Sequence, residues 1–208
     1  MSPRVTEEHK EGLKQRIIQA AVEHFSKEGY DGTKVDDIAD ALKISKGTIY
    51  FYFGDKSGLF RAISDHFVEK VKGELTTVFR TAEEMDMSVG QFYENIRKVE
   101  HGTDRLMVEM VAESTRNPKL RKALLEHRRR VLEVTIEHLK ILVAQGMLKK
   151  DTNVAAVAAG EMALYVGLTI SKLLGVSEEE NKATWIEMAS LLRSALTNSQ
   201  PKEEKKGE

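Results

Sequence analysis

"SKGTIYFYFGDK", residues 45–56, is the stretch on which the fold turns. Its centre, Thr48-Ile49-Tyr50-Phe51-Tyr52-Phe53, holds β-branched and aromatic residues, the types most favoured in strands. A strand here would stand alone, because nothing else in the chain offers it a partner, and an unpaired strand is not stable. The helical reading explains more. Ser45 is a good N-cap, and Ile49 and Phe53 lie four apart on one face, able to pack on the preceding helix. Gly47, Thr48, Phe51 and Tyr52 then fall on the opposite side, with Lys46 and Tyr50 at the flanks. Gly54 ends the helix and Asp55 can cap the next.

Outward from this segment the pattern stays helical. Leu13, Ile17, Ala21 and Phe25 recur at helical spacing, and Gly29 follows where a C-terminal glycine cap would sit. Thr33 precedes a shorter pattern (Val35, Ile38, Ala39, Leu42), with Asp36 three residues on as a capping-box partner. The turn "KIS" between this helix and the aromatic one has the length a helix-turn-helix uses. Beyond residue 56 the helices lengthen. One covers 56–80, and a break near Met85 to Ser88 leads to another ending about Val99. Others start near Asp104 and at Pro118, where proline fits the first turn, and two more cover 153–174 and 178–197. No strand pair, repeat or alternation of strand with helix is visible. The fold expected is all-α.

The 208 residues are 41% hydrophobic and 31% charged, an ordinary globular composition. No apolar run approaches the length expected of a membrane span, and no signal-peptide pattern opens the chain. There is no cysteine, which excludes disulfides and fits a reducing cytoplasm. The net charge is −1, and residues 1–60 hold nine Lys/Arg against ten Asp/Glu. A case for nucleic acid therefore rests on local arrangement. The six histidines show no metal-ligand spacing, and no nucleophile elbow, phosphate loop or catalytic pair is present, so no metal, cofactor or catalytic residue is expected. Glu109 and Glu113, four apart, read as a surface pair.

The run "AAVEHFSKEGYDGTKVDDIADALKISKGTIYFYFGDKSGLF", residues 20–60, resembles the N-terminal DNA-binding domain of the TetR family of transcriptional regulators. Phe25, Gly29-Tyr30, Thr33, Asp37-Ile38-Ala39, Ser45-Lys46-Gly47-Thr48, Tyr50, Phe53 and Lys56 carry the likeness. Lys34 and Lys43 depart from it, standing where a small or hydroxyl residue and a glycine are more usual. The resemblance implies a three-helix helix-turn-helix domain over 1–56, with an N-terminal tail at 1–10. A helical ligand-binding and dimerisation domain would follow over 57–198, and 199–208 reads as a disordered tail.

In a helix-turn-helix the second helix enters the major groove. Gly47 would let the backbone approach a base, Lys46 could donate to guanine or phosphate, and Thr48 could meet a thymine methyl. Tyr50, Tyr52 and Lys56 suit phosphates, Phe51 shares the exposed side, and Thr33, Lys34 and Ser45 are further contacts. Thr33 and Ser45 equally suit helix caps. An effector pocket would draw on Phe67, Val71, Phe92, Val99, Leu106, Met107, Met110, Ile136, Leu139 and Tyr165. The basic run "RNPKLRKALLEHRRR", residues 116–130, adds Arg128 and Arg129 and suits an anionic group docking there, a solvated surface being the plainer reading. The region from Arg105 to Gly146 resembles TetR members that respond to long-chain acyl-CoA, the ligand this resemblance implies. For a homodimer the small residues Ala156, Gly160, Ala163 and Gly167, with Trp185, Met188, Leu192 and Leu196, would form the interface. The expected protein is a cytoplasmic, homodimeric repressor, released from a palindromic operator by a small-molecule effector, without a membrane partner. The rival expectations are an activator, or a helical binding protein or enzyme whose DNA module does not function.

Overall fold

The computed structural model describes residues 6–78, 82–99 and 103–197, with side chains at 77–78, 82–87 and 99 left aside. The tail expected at 199–208 lies outside the described residues. Those described form nine α-helices and no strand: α1 Glu7–Gly32, α2 Val35–Leu42, α3 Lys46–Phe53, α4 Lys56–Val78, α5 Ala82–Val99, α6 Asp104–Ser114, α7 Pro118–Ala144, α8 Val154–Leu173 and α9 Glu178–Leu196. They group into two compact units. The first takes residues up to 71 together with 96–131, and the second takes 72–95 together with 132 onward.

In the first unit α1 begins earlier than the expected tail allows. Thr6 caps it, accepting from the His9 backbone N–H at 3.3 Å, and Glu7 and Glu8 suit the positive end of the helix. Its inward stripe, Ile17, Ala21 and Phe25, is fully buried. At Gly29 the backbone turns to φ 75°, a conformation open to glycine at no steric cost, and a kinked last turn runs on to Gly32. Thr33 does not cap α2 as expected. It is 2% exposed and turned back, its hydroxyl donating to the Gly29 carbonyl at 2.8 Å. The N-cap of α2 is Lys34, which makes no side-chain cap bond, so the expected capping box does not form.

Lys43 closes α2 in the left-handed conformation, φ 55°, with its N–H and that of Ile44 returned to Asp40 and Ala39 carbonyls at 3.0 Å. Glycine would hold that position without the roughly 1–2 kcal/mol a side chain costs there. Ser45 then caps α3, accepting from the Thr48 N–H at 3.2 Å. Ile49, 1% exposed, packs with Phe25, Ile38 and Leu59, and burial there overrides the strand preference of its neighbours. From the other side, Leu106 and Met110 of α6 close the same core. Arg97 and Asp104, both buried, pair through two bonds of 2.7 and 2.9 Å. The break expected near Met85 to Ser88 is helix instead, because Glu and Met there are good helix formers and no proline or glycine interrupts them.

In the second unit Trp185 and Tyr93 are buried beside Leu168, and the indole N–H donates to the Val89 carbonyl at 3.2 Å. A separate cluster joins Leu139, Leu142, Leu148 and Ala158, with Ile136 and Leu196 packed against it.

The corner between α3 and α4 is the tightest place in the fold. Gly54 ends α3 at φ 78°, and Asp55 caps α4 by accepting from the Gly58 N–H at 2.7 Å. A Cβ on Gly58 would overlap the Phe53 carbonyl oxygen. Gly58→Ala should therefore lower the unfolding free energy by about 1–3 kcal/mol, as overpacking does. A denaturation midpoint equal to wild type would show that the corner relaxes freely.

Candidate nucleic-acid interface

The turn and the corner together fix which side of α3 faces out. Lys46, Gly47, Tyr50, Phe51 and Gly54 are exposed, while Ile49 is buried and Tyr52 and Phe53 pack partly against the core. The outward stripe repeats every three or four residues, the width of one helix face. Phe51 is 79% exposed and Tyr50 44%. Tyr52, expected on the exposed side, is half-buried, and its ring meets Phe51 edge-on at 5.2 Å.

The polar side chains of this face already have partners. Lys46 pairs with Asp36 of α2 at 3.1 Å, both more than half exposed. The Asp36 hydrogen bond and charge raise the lysine above its ordinary range. Thr48 shares a 3.0 Å hydroxyl contact with Ser45. Lys56 lies with its ammonium 4.6 Å from the Tyr30 ring centroid and donates to the Asp31 carbonyl at 3.3 Å. Partial burial lowers its pKa. Lys34 is exposed. Thr33, expected at the phosphates, is a correction: it is buried and committed to Gly29, where it supports the end of α1.

The arrangement can do what a helix-turn-helix does: α2 supports, and α3 presents an open face wide enough for the major groove. Comparison with known proteins agrees. Residues 17–63 match the family model for bacterial regulatory proteins of the tetR family, and residues 98–197 match the C-terminal model of the BetI-type transcriptional repressors. The HTH-type transcriptional regulator UidR of Escherichia coli K12 is 28% identical over 168 residues, 79% of this chain and 82% of its own length. The biofilm operon negative regulator IcaR of Staphylococcus aureus is 42% identical, but over 48 residues, 23% of this chain and 26% of its own. A TetR-family regulator from Syntrophomonas wolfei superposes with a TM-score of 0.76 at 17% identity, over 92% of this chain and all of its own. The chain belongs to the TetR family. It is a DNA-binding transcriptional regulator.

The residues expected to form the effector pocket of this TetR protein are spread over several clusters. Leu106 and Met110 are core residues of the first unit, 7% and 2% exposed, and hold α6 to α1. Met107 is half-buried, and Val71 is 5% exposed. Phe67 meets the His127 ring at 5.6 Å. Phe92 and Tyr165 border Trp185 in the second unit, and Ile136 and Leu139 belong to the cluster with Leu142. Val99 falls outside the described side chains. Of the basic run, Arg121 caps the Ser114 and Thr115 carbonyls, Arg129 pairs with Glu126 at 2.6 Å, and Arg130 holds Ser64 and Asp65. Arg128 is exposed. Glu109 and Glu113 pair with Arg105 and Arg116.

Among the residues expected at a dimer interface, Ala156, Gly160, Ala163, Gly167 and Met188 are exposed. Trp185 is not: it is 7% exposed in the core of its own unit. Leu192 is half-buried, and Leu196 packs inward. Sequence reasoning missed Ile170, Leu173, Leu174, Ile186 and Leu191, which are large, apolar and exposed. It also missed how apolar α8 is: where no apolar run of membrane-spanning length was expected, this helix is long and apolar enough to cross a membrane by length and composition, through Val, Leu and Ile as well as Ala.

Glu161 stands on the inward stripe of α8, between Ala158 and Tyr165. The residue is half-buried, and that burial pushes its carboxyl up to about 7. Sequence alone gave no sign of it, because one acid in an Ala-rich helix reads as surface.

Two outcomes follow from these charges. Asp36→Asn frees Lys46 for a phosphate, so binding to DNA should tighten and the dependence of log K on log salt should steepen by roughly one unit. Weaker binding with an unchanged slope would mean Asp36 does not restrain Lys46. For Glu161, the folded pKa lies above the unfolded 4.5, so its contribution to stability is complete below pH 4.5 and lost as pH rises through about 7. The wild-type unfolding midpoint should fall relative to Glu161→Gln across that window; a gap independent of pH would place the carboxyl in water.

Proposed function

We propose that the protein is a homodimeric repressor that leaves a palindromic operator when a small apolar effector binds. The observation that carries this reading is the outward stripe of α3, an open helix face presented by a support helix inside a TetR-family chain. The repressor sense is supported by the description of the family matched over residues 98–197 and by IcaR, a negative regulator.

One helix-turn-helix contacts few base pairs, and a two-fold dimer doubles them. The exposed apolar residues of α8 and α9 supply a surface for that dimer: Ile170, Leu173, Leu174, Ile186, Met188 and Leu191 stand out beside the small residues of α8. Only 17% of the most apolar window of α8 is buried in the chain itself. Exposed apolar side chains grouped on one helix end, as Ile170, Leu173 and Leu174 are, mark association sites in regulators that work in water. A cytoplasmic setting agrees with the absence of cysteine.

For the effector, long-chain acyl-CoA is the specific candidate, with Lys119, Lys122 and Arg128 as the exposed cations of α7 that would meet its phosphates. An effector that prefers a conformation in which the two α3 helices miss their half-sites opposes DNA, and the opposition is reciprocal. The continuous helix α4, which starts beside α3 and contributes residues to both units, is the coupling element.

The experiment is selection of bound sequences from a random duplex pool, with light scattering on the free protein. An inverted repeat should emerge, its half-sites about one helical turn apart or a multiple of it, bound by a dimer with a negative salt slope. A folded protein that enriches no sequence would overturn the regulator reading, and a monomer at micromolar concentration would remove the dimer. Acyl-CoA that leaves operator binding unchanged would remove that ligand.

A further inference from the structure

Most of the side chains that read purines are missing from the reading unit. Residues 33–56 contain no Arg, Asn or Gln, so of the residues that bond guanine or adenine edges in the major groove only lysine is present. Two of the polar groups that remain on α3 are engaged within the protein, and the exposed Tyr50 hydroxyl is a third polar group. Lys46 is paired with Asp36, and the Thr48 hydroxyl with Ser45. What stands out from the helix is aromatic: Phe51 at 79% exposure, with Tyr50 one position before it.

Phe51 is also held in place. Its ring meets that of Tyr52 edge-on at 5.2 Å, and Tyr52 is anchored against the core of its unit. Gly47, one turn earlier on the same stripe, has only the Ser45 hydroxyl, at 3.5 Å, near the position a Cβ would take. The surface around Phe51 is therefore open on its N-terminal side, the end that approaches base edges in a helix-turn-helix. An exposed phenyl ring of fixed orientation on such a face cannot hydrogen-bond a base. The one apolar group in the major groove is the C5-methyl of thymine.

We propose that Phe51 determines specificity by packing on a thymine methyl of the operator, so that α3 recognises thymine by apolar contact where other readers recognise purines by hydrogen bonds. This rests on the DNA-binding reading above and deepens it. Phe51 does not hold the fold: its side chain is nearly all in solvent, so its removal leaves the core intact.

The test uses the duplex enriched by selection, remade with deoxyuridine at each thymine of one half-site in turn. Deoxyuridine pairs as thymine does and lacks only the methyl group. At one or two positions the full-length wild-type protein should bind the uridine duplex about fourfold more weakly, the worth of one buried methyl. Phe51→Ala should bind the thymine duplex more weakly and should no longer distinguish it from the uridine duplex at those positions. Phe51→Leu, which keeps an apolar side chain, should retain part of the discrimination. Wild-type affinity that is the same with and without each methyl overturns the proposal, while sequence-specific binding persists and the regulator reading stands. Equal loss on both duplexes in Phe51→Ala also overturns it, and gives the ring a role in backbone packing. If wild-type protein binds no duplex at all, the regulator reading and this assignment fall together.

Discussion

The corner from Gly54 to Gly58 has almost no tolerance, and the presentation of α3 depends on it. The chain must stop one helix, reverse and start the next within a few residues, with the Gly58 backbone pressed against the Phe53 carbonyl. Asp55 satisfies the free N–H at the start of α4, and the φ of 78° at Gly54 makes the reversal possible. With the corner fixed, Ile49 and Leu59 enter the same core, and the side of α3 that faces water is no longer free to vary. Rotation of α3 by one position would bring Tyr50 into that core and expose Ile49. The reading face thus follows from packing that lies behind it.

Much of this was legible in the sequence, for reasons that differ between elements. The amphipathic helices declared themselves through apolar spacing, and Gly29, Gly54 and Gly146 sit at positive φ where helices end. The aromatic run became helical once pairing was considered, since tertiary burial outweighs a propensity worth well under a kilocalorie per residue. Capping was harder. Thr33 preceded a helical pattern in the expected way, yet its hydroxyl bonds backward, to the Gly29 carbonyl that also accepts the Thr33 N–H. Nor does a sequence reveal that Asp36 and Lys46, ten residues apart on different helices, come within 3.1 Å.

The second unit shows the opposite balance. Its helices α7, α8 and α9 were placed to within a residue or two, the start of α5 was not, and neither were the roles of side chains on them. Trp185, the only tryptophan, looked like an interface anchor and is a core residue whose indole N–H needs the Val89 carbonyl. Leu191 and Ile186, plain members of a helical pattern, are the ones in solvent. Periodicity gives a helix its inward and outward sides only when one side is polar. On α8, where Val, Leu, Ile and Ala stand on both sides, the pattern carries no such information, and the half-buried Glu161 went unnoticed for the same reason.

A chain of net charge −1 that binds DNA has to make its few cations count. The acids of α2 face the same surroundings as Lys46, and Lys56 gives part of its charge to the Tyr30 ring and the Asp31 carbonyl. A single reading unit therefore has a weak electrostatic hold on phosphate, and apolar contact from α3 adds discrimination more than affinity. Joining two such units turns the second binding event into an intramolecular one, which raises affinity by orders of magnitude without any new contact. For that gain the two α3 helices must keep a spacing that matches the half-sites. In the dimer proposed above, the apolar surface left open on α8 and α9 would be part of the DNA-binding mechanism, because the weakness of each half makes the whole sensitive to the distance between them.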